Sequence, residues 1–198
     1  MQRSPAVWSR LSILISFTTG ASIRRLYWDS CAFLGLINSE AGKHTDCRAV
    51  WLEVERGETQ IITSFFTFAE VFKAKCEGQS KPLNEANEEA VAAFFGDERI
   101  LPVVVDRRTA ERARKLMRLH SECKKPTDAV HLATAILLNV DEMHTYDGSD
   151  LLILSGRVAR QDGEMLVICT PYVKEPELLL EPKLDEQDEG TDAGGQVS

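Results

Sequence analysis

Residues 100–146 decide the fold, and they read ILPVVVDRRTAERARKLMRLHSECKKPTDAVHLATAILLNVDEMHTY. The apolar run Ile100–Val105 is bounded by charges, which is typical of a buried parallel strand. Thr109–His120 carries basic residues around an apolar stripe and predicts an amphipathic helix. A second helix is predicted over Thr127–Leu138, because a proline directly before it is a helix-start signal. The segment Met143–Tyr146 then predicts another strand.

The flanking sequence continues this alternation of short strands and helices. Further strands are predicted over Ile23–Trp28, Gln60–Thr63 and Leu166–Cys169, and further helices over Phe65–Cys76 and Glu85–Phe95. Strands separated by helices indicate βαβ units, in which helices cover parallel strands. The predicted fold class is therefore α/β, with three α/β/α layers and a central parallel sheet.

The composition is that of one globular domain. The chain has 198 residues, of which 43% are hydrophobic and 27% charged, enough to bury a core. No apolar run approaches the ~20 residues that span a bilayer, so no membrane partner is predicted. The five cysteines include no C-x-x-C pair, which argues against a zinc or disulfide framework and favours a reducing cytoplasm.

Composition changes at both ends of the chain. We interpret residues 1–22 as a disordered extension or as the result of a start codon assigned too far upstream, rather than as a secretory signal. Residues 175–198 contain eight acidic residues and one lysine, a net charge of −7, and predict a flexible acidic tail. The domain is predicted between them, over residues 23–174. Within it, Arg99–Lys125 has nine basic and three acidic residues, either a solvated face or a footprint for nucleic acid.

Acidic residues follow the ends of the predicted strands. Asp29 and Asp147 come directly after strands, and Asp128 lies in the first turn of a helix. Because parallel strands deliver their carboxyl ends to one edge of a sheet, we expect these three acids to meet there. Glu70 lies between apolar neighbours in a helix, and no Lys or Arg lies within two residues of any of the four. Acids that converge without a cation favour a divalent metal ion.

Three of these four acids also have a purely structural interpretation, and Asp29 is the hardest to explain in that way. Asp128 would be a favourable charge at a helix N-terminus, Asp147 a turn residue, and Glu70 an exposed residue of a helix. Two histidines near them, His131 and His144, are interpreted as structural groups, because two imidazoles without a suitable third ligand do not define a zinc site.

Four segments, in this order, resemble motifs of the PIN-domain ribonucleases, in particular the VapC-type toxins: LYWDSCAFLGLIN, TFAEVFKAK, KPTDAVHLATA and HTYDGSDL. The resemblance covers Leu26–Thr170 and implies a three-layer PIN-like fold. It implies four catalytic, metal-binding carboxylates: Asp29, Glu70, Asp128 and Asp147. It implies three supporting residues: Ser30, Thr145 and Asp150. The sequence departs from the family pattern at Cys31 and Leu151, neither of which removes a carboxylate.

The resemblance also implies a function. It implies an endoribonuclease that uses Mg²⁺ or Mn²⁺ to hydrolyse RNA phosphodiester bonds, as the cytoplasmic toxin of a type II toxin–antitoxin pair. The implied partners are the RNA substrate, an antitoxin protein that places a basic side chain among the acids, and a second copy of the chain in a homodimer. Two alternatives stay open: a catalytically silent PIN-like module that binds RNA or protein, and an aspartate phosphotransfer domain.

Overall fold

A five-stranded parallel sheet forms the centre of the protein. The computed structural model describes residues 23–71 and 85–174. The strands are β1 Arg24–Trp28, β2 Thr59–Ser64, β3 Ile100–Val103, β4 Glu142–His144 and β5 Val167–Cys169. Their order across the sheet is β3–β2–β1–β4–β5, and every neighbouring pair is parallel. The predicted α/β class with a central parallel sheet is confirmed.

Helices cover both faces of this sheet. They are α1 Ser30–Ile37, α2 His44–Glu55, α3 Phe65–Glu70, α4 Glu85–Phe95, α5 Arg107–Leu119 and α6 Pro126–Leu137, followed by a short 3-10 helix, Leu152–Leu154. The central strand β1 shows why two helical layers are needed, since Leu26, Tyr27 and Trp28 are all fully buried. Successive side chains of a strand point to opposite faces. Leu26 and Trp28 therefore pack with residues of α1 and α2, and Tyr27 packs with residues of α5 and α6.

The position of β3 differs from the sequence prediction. The run from Ile100 was expected to be a buried strand, but β3 lies at the edge of the sheet and pairs only with β2. Ile100 is buried, whereas Leu101 is 44% exposed and Val104, just beyond the strand, is 66% exposed. Pro102 fits this position, because proline has no N–H to donate and is tolerated on an edge strand.

Two helices also differ from the sequence prediction. The helix expected over Phe65–Cys76 ends at Glu70, because Val71 leaves the helical conformation with ψ of 58° and buries its side chain in the core. Residues 72–76 lie outside the described part of the chain. Sequence reasoning missed α2, although its buried residues Cys47, Val50, Trp51 and Val54 follow the helical spacing of one apolar face.

The predicted extension, residues 1–22, and the predicted acidic tail, residues 175–198, lie outside the described residues, so both stay predictions. In the described ranges, no helix has the length and apolar character that crossing a membrane requires.

Candidate metal centre at the carboxyl edge of the sheet

Asp29 occupies the junction between the central strand and the first helix. It follows β1 directly and is the N-cap of α1, where its Oδ1 accepts a hydrogen bond from the backbone N–H of Ala32 at 3.1 Å. Its Oδ2 accepts a hydrogen bond from the Thr145 hydroxyl at 2.5 Å, and the residue is only 2% exposed. Burial raises the pKa of Asp29, against the lowering effect of His131 and of these hydrogen bonds.

Asp147 lies beside Asp29 through the same threonine. Thr145 donates its hydroxyl hydrogen to Asp29 and accepts the backbone N–H of Asp147 at 3.0 Å. The Asp147 Oδ1 in turn accepts the backbone N–H groups of Ser149 and Asp150, at 3.0 and 2.9 Å, which closes a tight turn. Burial alone would raise the pKa of Asp147, but the hydrogen bonds from Asp150 and Lys125 outweigh it and lower that pKa. Thr145 thus connects two of the predicted site acids through one hydroxyl group.

Three carboxylates converge beside this turn. Asp128, in the first turn of α6, meets Asp147 and Asp150, and each offers an oxygen that lies within 4.8 Å of the other two. The side chains are 13%, 15% and 5% exposed, respectively, so the cluster lies at the rim of the fold and solvent reaches it. We call Asp128, Asp147 and Asp150 the acid cluster.

A lysine lies among these acids, which the sequence analysis did not expect. The Lys125 Nζ is 3.3 Å from Asp128 Oδ2, 3.0 Å from Asp147 Oδ2 and 3.2 Å from Asp150 Oδ2. The expectation of acids that converge without a cation is therefore wrong for this cluster. Lys125 lies three residues before Asp128, just beyond the two neighbours on either side, and one helical turn brings residues three positions apart onto the same surface.

One oxygen of the acid cluster has an ion pair but no hydrogen bond. Asp128 Oδ2 is buried and, within the described residues, has no hydrogen-bond partner, although Lys125 Nζ is its near neighbour. Burial raises the pKa of Asp128, while Lys125 acts in the opposite direction. An oxygen in this condition is costly unless it binds a ligand. An all-oxygen donor set, in which one buried oxygen has an ion pair but no hydrogen bond, fits Mg²⁺ or Mn²⁺, which the acid cluster would hold.

Glu70 is fixed by a buried hydrogen-bonded chain that sequence reasoning missed. At the end of α3, its Oε2 lies 2.6 Å from His131 Nε2, and His131 Nδ1 lies 2.7 Å from the Tyr27 hydroxyl. Burial raises the pKa of Tyr27, so its hydroxyl stays protonated and donates to Nδ1. His131 then carries its proton on Nε2 and donates it to Glu70. His131 is 1% exposed and hydrogen-bonded at both ring nitrogens, as a structural histidine should be, but it also orients a candidate site carboxylate.

The predicted site residues therefore fall into two groups. The acid cluster is compact, whereas Asp29 and Glu70 lie outside that set of mutually close oxygens. Both still belong to the same region, because Glu70 and His131 lie near enough to influence the pKa of Asp29, and Thr145 connects Asp29 to Asp147. Asp150, predicted only as a support, lies within the acid cluster.

The other residues named in the sequence analysis have less direct contact with the site carboxylates. In the described ranges, the Ser30 side chain makes no hydrogen bond to a site carboxylate, and Ser30 serves as the first residue of α1. Cys31, which departs from the family pattern, has its pKa raised to about 12 by burial and by the Asp29 charge, so its thiol stays protonated. His144 is buried, accepts the indole N–H of Trp28 at 3.2 Å and lies 3.3 Å from Glu142.

Comparison with known proteins agrees with the fold. A family model for the PIN domain matches residues 26–149, a range that includes Asp29, Glu70, Asp128 and Asp147. This chain belongs to the PIN domain family. The family resemblance drawn from the four sequence motifs is confirmed, and the three-layer fold is that of a PIN domain.

The solved structures that resemble this PIN domain include two with TM-scores of 0.50 or above. VapC20 from Mycobacterium tuberculosis, a toxin that cleaves the sarcin–ricin loop, has a TM-score of 0.51 and 17% identity, over 62% of this chain and 90% of that chain. A toxin–antitoxin complex from Klebsiella pneumoniae has a TM-score of 0.50 and 20% identity, over 75% of this chain and 99% of that chain. At these identities the likeness shows the shared fold. A search of curated proteins found no match.

Proposed function

We propose that this PIN domain is an endoribonuclease that hydrolyses RNA phosphodiester bonds with Mg²⁺ or Mn²⁺. The observation that carries the proposal is the acid cluster at the carboxyl edge of the sheet, with the buried Asp128 Oδ2 left without a hydrogen bond. Ligands of parallel α/β sheets bind at this edge. Metal dependence and the choice of RNA are inferences from this chemistry and from the family.

Some residues of the site would bind the ion, and others would hold charge or hydrogen-bonding groups near it. Asp128, Asp147 and Asp150 would hold the ion, which when bound lowers the pKa of a coordinated water and offsets charge on the phosphate. Asp29, fixed by Ala32 and Thr145, adds negative charge next to the acid cluster without leaving its place at the start of α1. Glu70 is held by His131 through one oxygen, and its other oxygen, which has no hydrogen-bond partner among the described residues, could bind a water or the ion.

The proposal includes partners and a cellular role. We infer that the protein is the cytoplasmic toxin of a type II toxin–antitoxin pair, acts as a homodimer and is inhibited by an antitoxin. Two structural relatives are a toxin and a toxin–antitoxin complex, which supports this inference. A basic side chain of an antitoxin that entered the acid cluster would compete directly with a metal ion for the same oxygens.

RNA cleavage by the purified, partner-free protein tests the proposal. We expect cleavage with Mg²⁺ or Mn²⁺, none with EDTA, and a loss of at least about a hundredfold in Asp128→Asn, because one charged ligand is removed. The matched control is Asp162→Asn, an exposed aspartate whose backbone N–H bonds to Asn139 near the opposite end of α6. Equal loss in both variants, or cleavage that persists in EDTA, would contradict the proposal.

A silent binding module is the second candidate, and one observation favours it. Lys125 already compensates the acid cluster, so the acids are tolerable without an ion. This candidate predicts that the parent protein and Asp128→Asn bind RNA equally and that neither cleaves it with either metal. A gel-shift assay run beside the cleavage assay separates the two candidates.

A further inference from the structure

Lys125 occupies the centre of the acid cluster. It is the N-cap residue of α6, directly before Pro126, and its Nζ lies 3.0–3.3 Å from one oxygen of each of the three aspartates. These oxygens come from a helix and from the loop that follows β4, so the ammonium group bridges two separate parts of the chain. Without a cation there, three carboxylates within 4.8 Å of one another would repel.

The ammonium group and a metal ion exclude each other at this place. An ion that bound these oxygens at the usual distance of about 2.1 Å would lie where Nζ lies, or within about 3 Å of it. Two cations at that separation repel, and the three oxygens that Nζ contacts are the ones that the ion would bind. Binding of an ion therefore requires Lys125 to withdraw.

The side chain is built so that it can withdraw. Lys125 is 56% exposed, and its Nζ contacts among the described residues are the three carboxylates. A flexible four-carbon stem with an exposed ammonium group moves into water at little cost. Arg24, by contrast, has a side chain that is only 10% exposed and that pairs with both Glu53 and Glu142, so it cannot move into water in the same way.

We propose that Lys125 is a tethered cation that occupies the ion position of the acid cluster until a divalent ion displaces it. Lys125 thereby stabilises the ion-free protein and weakens its affinity for the ion. This inference rests on the proposed function, which places the ion at the acid cluster. It assigns Lys125 a positioning role: the residue controls when the acids are available.

The test compares Lys125→Met with Lys124→Met. Methionine keeps an unbranched side chain, one atom shorter, and removes its charge. Lys124 is an exposed neighbour that has no ion pair in the described structure. Mn²⁺ affinity is measured by titration at fixed ionic strength, and stability by urea denaturation in EDTA and in saturating Mn²⁺. A third variant, Lys125→Arg, keeps the charge.

We expect Lys125→Met to bind Mn²⁺ about tenfold more tightly than the parent, equivalent to about 1.4 kcal/mol. The urea midpoint of Lys125→Met should be lower than that of the parent in EDTA and equal to it in saturating Mn²⁺. Lys124→Met should match the parent in both measurements. Lys125→Arg should bind Mn²⁺ as weakly as the parent does. If the parent binds Mn²⁺ and Lys125→Met binds it equally or more weakly, the role of Lys125 is refuted and the proposed function stands. If neither protein binds Mn²⁺, the metal site itself is refuted, and the role of Lys125 with it.

Discussion

Thr145 is the residue whose replacement tests the geometry of the site most directly. Its hydroxyl donates to Asp29 Oδ2 and accepts the backbone N–H of Asp147, so one oxygen atom connects two candidate site acids. Valine has nearly the same shape and cannot make either hydrogen bond. Thr145→Val therefore removes the connection with little change in packing, since Thr145 is fully buried.

The magnitude follows from the two groups that lose a partner. A buried carboxylate oxygen without its donor costs about 1–3 kcal/mol. The Asp147 N–H is half-buried and water can replace its acceptor, so its loss costs about 1 kcal/mol. We therefore expect Thr145→Val to lower the free energy of unfolding by about 2–4 kcal/mol and to weaken Mn²⁺ binding, because Asp147 is less well oriented.

Urea denaturation followed by tryptophan fluorescence measures this loss, with Thr134→Val as the matched control. Thr134 is also buried, but its hydroxyl only donates to the Val130 carbonyl within α6, which keeps its backbone partner. The control should cost about 1 kcal/mol or less and leave Mn²⁺ binding unchanged. A loss for Thr145→Val no larger than that of the control would refute the reasoning.

Two further predictions concern other buried groups. Tyr27→Phe leaves His131 Nδ1 without its donor. We therefore expect urea denaturation to show a free energy of unfolding about 1–3 kcal/mol lower than that of the parent. A stability equal to that of the parent would show that the hydroxyl does not make this hydrogen bond. Burial alone would raise the pKa of Glu142, but hydrogen bonds from His144 and Arg24 hold it well below its ordinary value. The stabilisation by Glu142 is therefore present above about pH 4.3 and is lost on acidification below that pH. We expect Glu142→Gln to be less stable than the parent at pH 7. Between pH 5 and about pH 2, the variant should lose less stability than the parent does. Equal pH slopes for the two proteins would contradict this account.

The sequence predicted most of the fold because the apolar patterns are local. The helix over Thr127–Leu138 and the strand near Met143 appear within one residue or two of their predicted bounds, as α6 and β4. The edge position of β3 was not predictable from its apolar residues, because burial of a strand depends on which strands lie beside it. Only Pro102 carried a signal for the edge.

The candidate site, like the fold, was predicted in part from the sequence and in part decided by the tertiary structure. The order of strands and helices, the family, and the placement of Asp29, Asp128 and Asp147 near one edge followed from the sequence, because parallel strands end at a common edge. The tertiary structure decided which acids come within one coordination distance, that Lys125 lies among them, and that His131 fixes Glu70. Those contacts join residues far apart in the chain or depend on side-chain direction. Local patterns fix the elements, whereas distances between their side chains are set by how the elements pack.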